Sequence, residues 1–120
     1  MADLHKKSFT FAVEEKMEVI EVRRLSDVAQ ELNLRDPILL KLDVQGYENK
    51  VIAGGEDVVA RAQIIIVEVS FQPLYEGGPL FDDIYRILQD RGFAYTGNFE
   101  QLFSPQDGRI LQADAIFHRR

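Results

Sequence analysis

Residues 63–69 read "QIIIVEV", the most apolar strand-like run in the chain. Its length and β-branched content mark a strand, and its near-continuous apolarity is that of a strand buried on both faces of a parallel sheet. Parallel strands need long crossovers, usually helical, so the flanks should carry helices. Upstream, Pro37 opens a second strand, "ILLKLDV", and Gly46 turns the chain into a helix carrying Val51 and Ile52. Gly54 and Gly55 interrupt that helix, and a further helical turn runs through Val58 and Val59. Earlier still, Ser26 and Asp27 open a short helix, with Leu25, Val28, Ala29 and Leu32 at helical spacing and Asn33 as a stop. Residues 17–23, "MEVIEVR", read as a short strand, and residues 8–13, "SFTFAV", as an extended segment.

Downstream, a loop "SFQPLYEGG" leads to Pro79, which suits the first position of a helix. Phe81, Ile84, Tyr85 and Leu88 form the inner stripe of that helix. Asp82 and Asp83 in its first turn and Arg86 and Arg91 towards its end complement the helix dipole, and Gly92 stops it. The runs "FAYTGNF" and "ADAIFHR" are joined by a loop containing "SPQDGR", long enough for a hairpin but too short for a helical crossover. The expected fold is α/β: parallel strands, a carboxyl-terminal antiparallel pair, and helices on the sheet faces. The 120 residues suffice for one domain with a real core, so residues 1–120 are read as a single unit.

Charge and composition narrow the function. The net charge of −6 disfavours a nucleic-acid surface or an anionic membrane. No cysteine is present, which removes disulfides, thiolate metal sites and cysteine nucleophiles. No run has the length of a membrane span, and the start lacks a signal-peptide core, so a cytoplasmic location is expected.

Ligands of open α/β sheets sit outside the carboxyl ends of the strands. That rule singles out Asp43, near the end of "ILLKLDV", and Glu68, near the end of "IIIVEVS". Adjacent parallel strands would bring both to one rim. The loop that leaves this rim holds Phe71, Gln72 and Tyr75, and its two glycines suit a moving lid. Lys41, Gln45 and Glu48 complete a polar cluster around Asp43. Each has a plainer role available. Glu48 in a first helical turn serves the dipole. Lys41 snorkels. Phe71 and Tyr75 pack. Glu68, flanked by apolar residues, needs a partner or a shifted pKa. Asp43, Glu48 and Glu68 are oxygen donors of the kind that hold Mg²⁺ or Ca²⁺, but their spacing fits no metal loop, so no metal is expected. His5 and His118, near the two ends, do not make a site.

The segments "RRLSDVAQEL", "PILLKLDVQGYENKVIAGGEDVV", "IIIVEVSFQPLYEGGPLFDDIYRILQDRGF" and "DGRILQADAIFHRR" together resemble the carboxyl-terminal half of an FkbM-type methyltransferase. The resemblance runs from about Met17 onward, or already from "DLHKKSFTF", and is most specific in "LKLDVQGYE". There Lys41, Asp43, Gly46 and Glu48 match the family's K-x-D-V-[EQ]-G-x-E signature, with Gln45 where Glu often stands, and Glu68 matches an acid on the following strand. The resemblance implies a Rossmann-like sheet, S-adenosylmethionine as cofactor, and methyl transfer to a hydroxyl of a small-molecule acceptor of sugar or polyketide type. It implies Asp43 as first candidate for base or acceptor anchor and Glu68 as second, with Lys41, Gln45, Gly46, Glu48, Phe71, Gln72 and Tyr75 positioning cofactor or acceptor. It also implies a strand order of "ILLKLDV", "IIIVEVS", "ADAIFHR", with "FAYTGNF" at the edge. No G-x-G turn occurs among the eight glycines, although the family places one after its first strand. The chain is therefore expected to lack the first βαβ units, to bind the cofactor weakly or not at all alone, and to be inactive alone. The alternative function is a non-catalytic α/β module for dimerisation or partner binding. In either case the outer side of residues 38–44 lacks its family neighbour, and the expected partner is a second copy, in a homodimer through that edge or the amino-terminal strands, or else a missing amino-terminal half.

Overall fold

A computed structural model describes residues 19–120. Among them the chain forms α1 (Leu25–Glu31), β1 (Ile38–Leu42), α2 (Glu48–Ala53), α3 (Glu56–Arg61), β2 (Ala62–Ser70), α4 (Phe81–Asp90), β3 (Phe93–Phe103) and β4 (Ile110–Arg119). The four strands make one sheet in the order β1-β2-β4-β3. β1 and β2 are parallel, β2 and β4 antiparallel, and β4 and β3 antiparallel. This is the order expected above, with the last strand inserted between two earlier ones.

Period-two alternation decides which side chains are buried. On β2, Ile65, Val67 and Val69 are buried, and register places Phe117, Ala115 and Ala113 of β4 opposite them. Leu42 of β1 stands opposite Val67 on the same face. Ile52 from α2, Val59 from α3, and Ile84 and Leu88 from α4 close over that face and complete the core. Each fully buried Leu, Ile or Phe there contributes roughly 1.5–3 kcal/mol through lost water contact. Phe81 stacks on Phe71 at 5.1 Å and meets Tyr95 edge-on at 5.1 Å, which anchors α4 over the start of the β2–α4 loop and β3.

Four expectations change. β2 was expected to be buried on both faces, but the helices' core residues gather on one face. On the other, Ile64, Ile66 and Glu68 are half-buried and Leu39 and Lys41 exposed. The sheet also holds a single parallel pair, so helices on both faces are not needed. Residues 19–23 form no strand, despite their Val and Ile content: Val19 is fully and Val22 largely solvated, and no strand among the described residues pairs with them. (Residues 8–13, Met17 and Glu18 lie outside the described residues.) Pro79 is not in the helix, which starts at Phe81 with Leu80 as N-cap. Asp83 Oδ2 accepts the Leu80 N–H at 3.0 Å, a bond that requires a backbone donor at the cap, which proline lacks.

Candidate functional site

β1 ends at Leu42, opposite Val67. One step further along both strands brings Asp43 beside Glu68. On the other side of β2, Asp114 of β4 is the register partner of Glu68. Three carboxylates thus meet on the sheet face away from the core. Burial first, then a hydrogen bond to Asp43 and the charges of Asp43, Glu48 and Asp114, together push the Glu68 carboxyl up to about 7. A carboxyl raised to that value is a proton acceptor matched to neutral pH.

Two neutral side chains complete the set. Gln112 Nε2 donates to Glu68 Oε1 at 2.9 Å and to the Tyr75 hydroxyl oxygen at 3.1 Å. The Tyr75 hydroxyl itself reaches Glu68 Oε1 at 3.5 Å. Burial, the largest influence on Tyr75, raises its phenol, so it stays a donor. Gln112 escaped the sequence reading. Its only signal is register: it pairs with Ser70 at the end of β2, which sequence spacing does not show.

The turn after β1 has a different logic. Gln45 and Gly46 both take positive φ, 49° and 100°. Glu48 is 4% exposed, and its carboxylate accepts the backbone N–H of Val44 at 2.9 Å and of Gly46 at 3.0 Å. It folds back to hold the turn, so the dipole role considered for it is secondary. A Cβ at position 46 would stand 2.8 Å from Tyr75 Cβ, and one at position 78 would stand 3.2 Å from Gly46 Cα. The glycines let the β1 turn and the 71–80 loop interlock. The loop read as a mobile lid is therefore fastened over the β1 turn at Tyr75 and Gly78.

The remaining candidates sit around this set. Lys41 is exposed on the same sheet face, opposite Ile66 in register. Gln45 is exposed at the turn. Phe71 belongs to the aromatic packing with Phe81, and its N–H donates to the Leu111 carbonyl at 2.9 Å. Gln72 is half-buried, and its carbonyl accepts the Leu74 N–H at 2.7 Å. Among the described residues no group of three or more His, Cys, Asp or Glu is disposed to hold a metal ion. The metal reading of Asp43, Glu48 and Glu68 fails because Glu48 turns its oxygens to the backbone. No helix among the described residues is long and apolar enough to cross a membrane.

No solved structure matches the chain significantly. A 2-O-methyltransferase, NoeI, of Sinorhizobium fredii (strain NBRC 101917 / NGR234) is 45% identical over 58 residues, which cover 48% of this chain and only 24% of that protein. The model of the methyltransferase FkbM domain matches residues 3–95, a span that takes in both parallel strands, the Glu48-held turn and Glu68, and ends inside β3. With that span matched, the chain belongs to the FkbM methyltransferase family.

Proposed function

We propose that the chain provides the acceptor side of a Rossmann-like, S-adenosylmethionine-dependent O-methyltransferase, acting on a hydroxyl of a sugar or polyketide-type molecule. The observation that carries this reading is Glu68: a carboxyl raised to about 7 at the carboxyl end of a strand, held by Gln112 and set beside Asp43. In O-methylation the acceptor O–H must give up its proton as its oxygen attacks carbon. Glu68 takes that proton, Asp43 anchors the acceptor, and Tyr75 with Gln112 fixes the Glu68 oxygen that does not. The 2-O-methylation that gives the Sinorhizobium relative its name is of this kind.

The family implies S-adenosylmethionine as methyl donor. The described residues do not make a cradle for it. The positive-φ glycine on the rim, Gly46, has its open side filled by Tyr75, and the sequence has no G-x-G turn. The chain alone therefore binds S-adenosylmethionine weakly or not at all and is inactive alone. Calorimetry checks this, and micromolar affinity would refute it. The base role has its own test, a carbon-13 NMR titration of the Glu68 carboxyl. A midpoint near 7 supports it, and a midpoint in the ordinary carboxylate range removes Glu68 as base.

A second reading, a dimerising module, rests on β1. Among the described residues β1 pairs only with β2, and Leu39 on it is 61% exposed. An open strand edge recruits another strand. The occupant proposed is a second copy, because two β1 edges meeting across a two-fold axis close the assembly. Sedimentation at micromolar concentration should give twice 13.8 kDa, and a clean monomer would end this reading.

A further inference from the structure

A cavity of about 270 Å³ opens beside Glu68. One wall is Glu68, Gln112 and Asp114 from β2 and β4, and the other is Glu100, Gln101 and Leu102 from β3. The second wall exists because β3 is irregular. Its register steps from Asn98 opposite Ala115 to Gln101 opposite Ala113, so β3 spends one residue more than β4 there. An extra residue bends a strand and re-aims its side chains. The bend is fixed from within: the Tyr95 hydroxyl donates to Asn98 Oδ1 at 2.6 Å, and Asn98 Nδ2 donates to Gln101 Oε1 at 3.0 Å. Residues 100–102 and 112–114 lie beyond the span that the family model matches, which ends at Tyr95.

The existing bonds decide what the walls can offer a ligand. Gln112 uses its Nε2 on Glu68 and Tyr75, so its Oε1 is the acceptor it has left. Gln101 has its Oε1 engaged by Asn98, so its N–H groups are the donors it has left. Glu68, Glu100 and Asp114 add carboxylates, and no Lys, Arg or His lines the cavity. Several acceptors with one amide donor suit hydroxyl groups, which both give and take hydrogen bonds. Carboxylates with no cation repel an anion. The volume is below the ~300–1,000 Å³ usual for drug-sized ligands, which favours one ring over a long chain.

Building on the reading of Glu68 as base, we propose that this cavity is the acceptor site, that it takes a single polyhydroxyl ring of neutral or positive charge, and that the β3 bulge sets this selection. The ring lies against Glu68 with one hydroxyl towards that carboxylate, while Glu100 and Gln101 hold the hydroxyls on the far side. Polyketide-type and uronate-type acceptors are thereby disfavoured.

The test is a proton–nitrogen-15 NMR titration of the full chain with three probes: methyl glucoside, glucosamine and glucuronate. Methyl glucoside and glucosamine should shift the amides of residues 100–102 and 112–114 together with that of Glu68, and glucuronate should bind about tenfold more weakly or worse. Glu100→Lys, at an exposed position outside the core, should remove that discrimination. Equal binding of glucuronate overturns the charge selection, as does an unchanged preference in the variant. Shifts confined to residues 43–48 and 68–75 overturn the role of the bulge and leave the rim reading intact. Absence of shifts at both sets, for all three probes, overturns both.

Discussion

Glu48 and Glu68 are two acids on one rim, the first buried and the second half-buried, and they are handled in opposite ways. Glu48 has its charge answered by two backbone N–H groups of its own turn. Glu68 has one amide donor, a distant hydroxyl and three acidic neighbours. Backbone donors favour the ionised form, whereas burial and like charges disfavour it. Glu48 is consequently a building element that holds its turn, and Glu68 is a group that changes state near neutrality. The contrast separates two uses of the same residue type that sequence position alone presents as equivalent.

The contrast is most strongly tested at Glu48. Glu48→Ala leaves two turn donors without their charged acceptor and should cost roughly 2–3 kcal/mol in urea unfolding. A loss under about 0.5 kcal/mol would mean that the turn does not depend on this carboxylate. Next comes Gly46→Ala, which adds a Cβ at φ 100°, 2.8 Å from Tyr75 Cβ. Backbone strain and the forced shift of the 71–80 loop should cost about 2 kcal/mol by the same measurement. A near-neutral result would show that the two loops are not interlocked.

The smallest effect, opposite in sign, is expected for Glu68→Gln. The folded-state carboxyl titrates at about 7, above its ordinary 4.5. Below 4.5 both states are protonated and the shift has no effect. Between the two values the unfolded chain releases the proton first, so wild-type stability falls as pH rises, and above 7 the full cost is present. Glu68→Gln should lose that decline and be more stable than wild type at pH 8, by no more than about 1 kcal/mol given its partial exposure. Urea midpoints at pH 5 and pH 8 read it directly. Parallel pH profiles of the two proteins would show that Glu68 ionises as freely as a surface acid and would dissolve the contrast.

Strand order and the α4 stripe of Phe81, Ile84, Tyr85 and Leu88 were legible in the sequence, because apolar periodicity and the family pattern both constrain them. The meeting of Asp43 and Glu68 was legible too, since parallel register carries one strand end to the next. The function of Glu48 was not: a carboxylate at a helix start has the same local sequence whether it serves the dipole or folds back onto a turn. Gln112 was invisible because its role depends on a pairing more than forty residues away. The bulge of β3 was equally hidden, since the run "FAYTGNF" stops at Phe99, short of Gln101, and only the register with β4 reveals the extra residue. At residues 19–23 strand-forming composition misled, because propensity yields no strand without a neighbour, and among the described residues none pairs there.

β4 follows β3 in the chain yet lies between β2 and β3 in the sheet. Its pairings with β2 join residues as distant as Ile64 and His118. Contacts of that separation close late in folding. While the chain is being synthesised, β2 emerges with one edge bare, and β3 has no seat until residues 110–119 arrive. The most apolar strand of the protein thus waits with one edge of backbone groups unpaired until residues 110–119 arrive, the condition under which nascent chains associate wrongly or engage chaperones. The step that completes the rim around Glu68 by delivering Gln112 is the same step that ends this exposure.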